Sequence, residues 1–433
     1  MSKCMNVLLK EAGKINPTSV EEYVANGGYQ ALRNTVNMDS QAVIDELTHA
    51  ELLGRGGAAY PAGRKWHLMN QIPENPKYIV CNADEGEPGT FKDRDLLQYT
   101  PLKVIEGMTI AGRVFRSPRG FIYIRGEYRN IQKLFQEAID NATKAGYLGK
   151  NIMGIEGFDY TITIVSGGGA YVCGENSSLL NSIEGKAGRP RIKPPHLAEV
   201  GLYSLPTLVN NVESYAHLTV IFTHGADAFR EYGVENSCGT KLISISGHAK
   251  NRGVYEVGLG KVTLREIVCD PELGGGTPSG RPIKFYHLGG QSGPIGFPEQ
   301  LDVPYGYQTL KENGLSVGSG AVVVLDDSVC LVDYCRKVME FFVHESCGKC
   351  VPCRVGTTRA LELLQKLCDG RGEPGDVDKL EHTIKQIAAL SACGLGQSVD
   401  KAILPCLKMR REEFLAHEQG TCPCGGCKEY VKD

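Results

Sequence analysis

Three cysteines with two residues between each, Cys347, Cys350 and Cys353 in the run ESCGKCVPCRVG, are followed forty residues later by Cys393 in SACGLG. Four soft thiolates select an iron–sulfur cluster or zinc. The C-x-x-C-x-x-C spacing can wrap three corners of a four-iron four-sulfur cluster, with a remote cysteine closing the fourth, whereas structural zinc more often uses two separated C-x-x-C pairs. The cluster is the preferred reading, with zinc and a group of merely buried cysteines as its alternatives.

A second kind of chemistry sits in the N-terminal half. The run GRGGAAYPAGRKW places Gly54, Gly56 and Gly57 where backbone N–H groups can approach a phosphate, and Arg64 and Lys65 can neutralise it. After the apolar run KYIVCN, the segment ADEGEPGTFKDR gathers Asn82, Asp84, Glu85 and Glu87 at a strand's carboxyl end, the edge at which open α/β sheets bind ligands. A third glycine-rich turn, SGGGAYVCGEN, adds Tyr171, Gly174, Glu175 and Asn176. Lys193 lies in the basic, proline-rich GRPRIKPP, and LVNNVES offers Asn210 and Asn211 to the rim of a heterocycle. A structural turn or a solvated acidic loop accounts for each segment taken singly.

The elements that position these groups follow from periodicity. KYIVCN (77–82), GFIYIRGEY (120–128) and YTITIV (160–165) read as strands alternating with a helix over 131–146, which predicts an α/β sandwich for residues 1–240. Residues 241–330, with KLISISG, VYEVG, IKFYHLGG and AVVVLDD between Gly- and Pro-rich connections, read as a small α+β domain. From 331 to 418 the apolar spacing turns helical, which puts the cluster cysteines at helix ends, and 419–433 form a cysteine-rich tail. The 433 residues are 42% hydrophobic and 22% charged with a formal net charge of −3, which gives no electrostatic footprint for nucleic acid. No apolar run reaches membrane-spanning length, the start does not read as a signal peptide, and most of the 16 cysteines gather in the last quarter. A cytoplasmic, reducing location without direct membrane insertion is expected.

Taken in order, GRGGA-x-(F/Y)P-x-G-x-KW, CNADE-x-EPG-(S/T)-FKDR, Y-x-CGE, PR-x-KPP, NNVE, C-x-x-C-x-x-C and CGLG resemble one family over about residues 20–400: the flavoprotein subunit of NADH dehydrogenases. That family also includes diaphorase subunits of soluble hydrogenases, formate dehydrogenases and electron-bifurcating complexes. The resemblance implies an α/β sandwich binding FMN and a nicotinamide dinucleotide, then a ubiquitin-like (SLBB) α+β domain, then a four-helix iron–sulfur bundle. It implies that Gly54, Arg55, Gly56, Lys65, Asn82, Asp84, Glu85, Gly86, Gly174, Glu175, Asn176, Val209, Asn210 and Asn211 surround the cofactors, with Leu395 between flavin and cluster. Glu87, Tyr171 and Lys193 would face NAD(H), and Glu87 and Lys65 would serve the reaction most directly. Hydride would pass between nicotinamide and flavin, and single electrons would leave through the cluster on Cys347, Cys350, Cys353 and Cys393.

Departures from the respiratory pattern gather on the dinucleotide side. Tyr60, Leu68 and His196 stand at positions that are commonly aromatic, and Asn176 replaces the second glutamate of CGEE, which removes one barrier to NADP(H). A two-iron two-sulfur thioredoxin-like subunit and further iron–sulfur subunits are the expected partners, in a soluble and electron-bifurcating complex. The alternative is an electron-transfer scaffold without its own dinucleotide turnover. In the tail, His417, Cys422 and Cys427 with Cys424 or Cys406 would build a zinc site; a second cluster and an unliganded tail are the other readings. The remaining cysteines, Cys330 among them, show no ligand spacing and are expected to be core or surface residues; His287 is expected to be structural.

Overall fold

The computed structural model describes residues 3–192 and 194–427, so the expected contribution of Lys193 lies outside the described residues. Four parallel strands, β1 (Tyr78–Ala83), β2 (Arg119–Ile124), β3 (Thr161–Ser166) and β4 (Thr207–Asn211), form one sheet in the order β3-β2-β1-β4. Strand β1 shows why this sequence suits a sheet covered on both faces. Ile79, Cys81 and Ala83 point into one core while Val80 points into another, with Val209, Phe121 and Leu179. Fully burying each such Val, Leu or Ile contributes roughly 1.5–3 kcal/mol. Two helices, Pro101–Val114 and Val212–His224, cover the first face. They approach so closely that a Cβ on Gly107 would overlap the Tyr215 carbonyl.

Because all four strands run the same way, their carboxyl ends share one edge. The register pairs Asn82 with both Tyr123 and Asn211, and Cys81 with Asn210. The loops leaving that edge carry nearly every polar group singled out above.

A second, mixed sheet follows in the order β6-β5-β9-β7-β8, from β5 (Thr240–Gly247), β6 (Gly253–Gly258), β7 (Ile283–Leu288), β8 (Ile295–Gly296) and β9 (Ala321–Asp326). Only the β5–β9 pairing is parallel. The chain then becomes helical: Leu331–Glu345, Val351–Cys368, Asp376–Leu390, Val399–Met409 and Arg411–Glu418 share a core around Val338, Phe342, Leu364, Ile384 and Ile403. The second of these helices starts at Val351, directly after Cys350. Cys350 caps it, Pro352 occupies its first turn where a missing N–H costs nothing, and Gly356 leaves room for the Ile387 side chain of the neighbouring helix. Among the described residues no helix is long and apolar enough to cross a membrane.

Candidate functional site

The edge of the first sheet is built by β1 and the loop after it. Asn82, the penultimate residue of β1, donates to the Gly174 carbonyl at 2.9 Å and to Asn176 Oδ1 at 3.1 Å, and its own Oδ1 receives the Asp84 N–H at 3.2 Å. One amide thereby ties the acidic loop to the third glycine turn. Gly174 lies against the Asp84 carbonyl, and Gly86 against the Tyr171 ring, where a Cβ would come within 3.3 Å. Asp84 Oδ2 is buried and has no hydrogen-bond partner among the described residues. Burial raises the Asp84 carboxyl to about 7 against the opposing pull of Arg125, with Glu127 and Glu345 adding to the rise.

From the opposite side, the glycine loop and β4 contribute Lys65 and the asparagine pair. Lys65 lies on the Ala62–Asn70 helix, and its Nζ donates to the Val209 carbonyl at 2.9 Å and to Asn210 Oδ1 at 3.1 Å. Burial lowers its ammonium to about 8. Gly56 meets Asn211, whose Cβ lies 3.0 Å from where a Gly56 Cβ would stand. The Asn211 amide is oriented by Asp93, which accepts from its Nδ2 at 2.7 Å, and by Lys92 and the Glu213 N–H, which donate to its Oδ1 at 3.3 and 3.0 Å. Behind this pair Glu213 is wholly buried and accepts from Lys241 Nζ at 2.6 Å and from the Leu242 N–H at 2.8 Å, while Lys92 lies 3.0 Å away. These lysine charges hold the Glu213 carboxylate well below the ordinary range despite the burial that would raise it.

Three expected groups have their side chains committed elsewhere. Arg55 is buried and donates to the Cys238 carbonyl at 2.7 Å and the Leu53 carbonyl at 2.9 Å. Glu85 accepts from the Asp93 and Arg94 N–H groups at 2.7 and 3.0 Å, at the start of the Lys92–Tyr99 helix. Glu175 caps the Asn176–Ile183 helix by accepting from the Ser178 N–H at 2.9 Å. Gly54 closes its own loop, donating its N–H to the Tyr60 carbonyl.

Glu87 leads towards the helical region. Its carboxylate accepts from the Tyr171 hydroxyl at 2.5 Å and from the Ser292 N–H and hydroxyl at 2.9 and 2.8 Å. Tyr171 donates its N–H to Glu345 at 3.0 Å and meets Phe341 edge-on at 4.9 Å, both on the Leu331–Glu345 helix. Ser292 was missed in the sequence. Its turn, GGQSG after the strand IKFYHL, carries the same signal as the other three glycine turns, but it belongs to the second sheet.

Cys347 follows the Leu331–Glu345 helix, Cys350 and Cys353 open the next helix, and Cys393 precedes the turn Gly394–Gln397 that contains buried Leu395. Cys353 is raised first by burial and then by its three cysteine neighbours Cys350, Cys393 and Cys347. Cys393 in turn feels Cys347 and Cys350, so the four thiols lie in one neighbourhood, and they do not form a single-ion group. Among the described residues the one metal-sized group is Cys330, His417, Cys422 and Cys427, whose ligand atoms all lie within 4.8 Å of one another. Zinc–sulfur bonds of about 2.3 Å set tetrahedral ligands about 3.8 Å apart. Here Cys330 and Cys427 lie 3.5 Å apart and His417 Nε2 lies 3.3 Å from Cys330. The expected fourth ligand is thus corrected. Cys406 Sγ turns to the Ala402 carbonyl in its own helix, Cys424 only neighbours Cys422 at 3.6 Å, and Cys330 completes the group from the cap of the Leu331–Glu345 helix.

Comparison with known proteins agrees with this geometry. Residues 47–220 match the family model for the Nuo51 FMN-binding domain, and residues 333–417 match the model for the NADH-ubiquinone oxidoreductase-F iron-sulfur binding region. The chain is 39% identical to the HndC chain of the NADP-reducing hydrogenase of Solidesulfovibrio fructosivorans over 98% of its own length and 86% of that protein's. It is 40% identical to an NADH-quinone oxidoreductase chain of Aquifex aeolicus, over 95% and 94% of the two chains. A solved NAD+-reducing [NiFe]-hydrogenase in the H2-reduced state superposes with a TM-score of 0.83 at 32% identity, covering 97% of this chain and 68% of the other.

Proposed function

The chain belongs to the Nuo51 family of NADH-quinone oxidoreductase chains and is an NAD(P)H dehydrogenase flavoprotein subunit, and from that premise we propose that it exchanges hydride with NAD(H) at the first sheet's carboxyl edge and passes electrons to partner subunits through Cys347, Cys350, Cys353 and Cys393. The observation that carries the site assignment is Asp84. A buried carboxylate oxygen without a partner, between glycines that leave room beside the backbone, fits a bound heterocycle that brings its own N–H donor. FMN is such a group, and the thiol set of the helical region fits a four-iron four-sulfur cluster.

When bound, the flavin supplies two-electron hydride chemistry and the cluster one-electron transfer. The chain's own residues bind and orient. Asn82, Asn210 and Asn211 present fixed amides to the ring, and Lys65 offers its ammonium to the anionic part of the flavin from a desolvated position, where its charge acts strongly. Glu87 and Tyr171 would face the nicotinamide, and Leu395, buried in the turn after Cys393, would lie between flavin and cluster. No side chain need donate or accept a proton at the reacting carbon, so alignment is the protein's main contribution.

The finer assignments belong to the same reading. Residues 1–240 form the FMN and dinucleotide unit, 241–330 the ubiquitin-like SLBB unit, 331–418 the iron–sulfur unit, in which a short fifth helix, Arg411–Glu418, joins the four expected, and 419–433 the tail. Cys330, His417, Cys422 and Cys427 hold one zinc ion. The protein works in the cytoplasm, in a bifurcating-type complex with a thioredoxin-like two-iron two-sulfur subunit and further iron–sulfur subunits. Support for a single-ion site comes from the compact ligand group; support for the complex comes from relatives named as subunits of larger oxidoreductases. Anoxic titration of the flavin absorbance with NADH and NADPH tests the function. Bleaching by NADH at the lower concentration is expected, a preference for NADPH reassigns the dinucleotide, and no bleaching by either refutes the reading.

A further inference from the structure

Every group assigned to the nicotinamide end so far comes from the first sheet and its loops, yet three of the four donors that hold Glu87 come from elsewhere. The turn between β7 and β8, residues 289–293, reaches across from the second sheet. Ser292 gives Glu87 both its N–H, to Oε1 at 2.9 Å, and its hydroxyl, to Oε2 at 2.8 Å; the Gln291 N–H also faces the carboxylate. Tyr171 shares Oε2 at 2.5 Å. The turn is pressed against the acid: Gly290 has φ +85°, and a Cβ there would overlap Glu87 Cγ, so only glycine fits.

The turn is itself held at two points. His287 Nε2 lies 2.9 Å from the Gly293 carbonyl, and Nδ1 lies 3.0 Å from the Tyr334 hydroxyl on the Leu331–Glu345 helix. On its other side Ser319 donates its hydroxyl to the Gly289 carbonyl at 3.0 Å and contacts Thr90, at the end of the acidic loop, at 2.5 Å. Sheet, acidic loop and the helix that leads to Cys347 are thus bolted to one five-residue turn. A carboxylate with both oxygens occupied by fixed donors has one orientation, and a bidentate pair from a single residue is the strongest way to impose it.

We propose that Ser292 is a positioning residue for dinucleotide binding: its hydroxyl and N–H clamp the Glu87 carboxylate in the orientation that meets the nicotinamide ribose. The inference rests on the function proposed above, and it adds the second sheet to the dinucleotide site. A clamp that serves binding equally in the ground and transition states acts on KM and leaves kcat in place.

The test compares Ser292→Ala with the wild-type holoprotein, using NADH and an artificial one-electron acceptor. A hydrogen bond to a charged group corresponds to about a tenfold loss in affinity. Ser292→Ala is therefore expected to raise KM for NADH about tenfold with kcat within twofold, and to weaken binding of NAD+ to the oxidised protein by a similar factor in calorimetry. Ser292→Thr, which retains the donor, should recover most of the loss. Ser292→Gly gives the same comparison in a turn already rich in glycine should the alanine variant fold poorly. An unchanged KM and affinity overturns the proposal, as does a joint fall of kcat and FMN content without a change in KM, which assigns Ser292 to packing alone. Wild-type protein that binds NAD+ but is not bleached by NADH or NADPH refutes the proposed function and leaves the clamp measurable by calorimetry. Wild-type protein that binds neither dinucleotide overturns both.

Discussion

Asp84→Asn should stabilise the flavin-free protein, by an amount that depends on pH in a way the geometry sets. The Asp84 carboxyl is moved from an ordinary 3.8 to about 7, first by burial and then by the balance of Arg125 against Glu127 and Glu345. A carboxyl whose folded value lies above its unfolded one destabilises the fold in its ionised form. The penalty is absent below about pH 4, grows as pH rises through the interval and is complete above about pH 7. With each pH unit worth about 1.4 kcal/mol, the full penalty is about 4 kcal/mol. Asparagine retains the shape and one acceptor oxygen but cannot ionise, so the variant should gain nothing at pH 4 and about 4 kcal/mol at pH 8. The chain has several cores, so a single unfolding midpoint would blur the effect. Hydrogen exchange of the β1 and β2 amides in the deflavinated protein reads it locally. The same substitution should weaken FMN binding, because a charged acceptor is exchanged for a neutral one. Parallel protection-versus-pH curves for the two proteins between pH 5 and 8 would refute the reasoning, since they would mean that the Asp84 carboxylate is solvated.

Three further outcomes are expected. Cys330→Ser should lower the zinc content of the purified protein by about one equivalent while Cys424→Ser leaves it unchanged, as read by elemental analysis; equal loss in both would contradict the ligand set. Glu213→Ala removes the carboxylate that pairs with the buried Lys241, while Lys92 keeps Asp93, and should cost about 3–5 kcal/mol in the protection of the Leu242 amide, which donates to Glu213; unchanged exchange there would show that the ion group carries no weight. Asn176→Glu places a carboxylate beside Asn82 at the cleft and should raise the ratio of kcat/KM for NADH over NADPH at least tenfold, with an unchanged ratio removing Asn176 from the specificity site.

What the sequence revealed follows from the distance over which its signals act. The cluster cysteines were legible because three of their four positions lie within seven residues of one another, and the strands because buried parallel strands read as continuous apolar runs. Motif order pointed to the FMN-binding domain that residues 47–220 match, but spacing says nothing of side-chain direction. Arg55 and Glu85 stand inside the right segments and yet turn to Cys238 and to a helix start. Cys330 looked like an ordinary core residue because its partner His417 lies 87 residues away, and only folding joins them. Ser292 was hidden for the same reason, although its glycine-rich turn was in plain view.

Cys330 and Cys427 lie 97 residues apart in sequence and 3.5 Å apart in space. Between them runs the whole helical region with all four cysteines proposed to hold the cluster, so an ion shared by the two would make that stretch a closed ring, fastened where it leaves β9. By analogy with a disulfide of similar span, closing such a ring removes about 4–5 kcal/mol of chain entropy from the unfolded state. The ring then cannot peel away from its end, where chains ordinarily fray. Loss of the iron–sulfur centre would have to begin by opening the ring from within or by extracting the ion. A chelator and an oxidant would therefore release the same iron by different routes, the first by unfastening the ring and the second by attacking the cluster inside it.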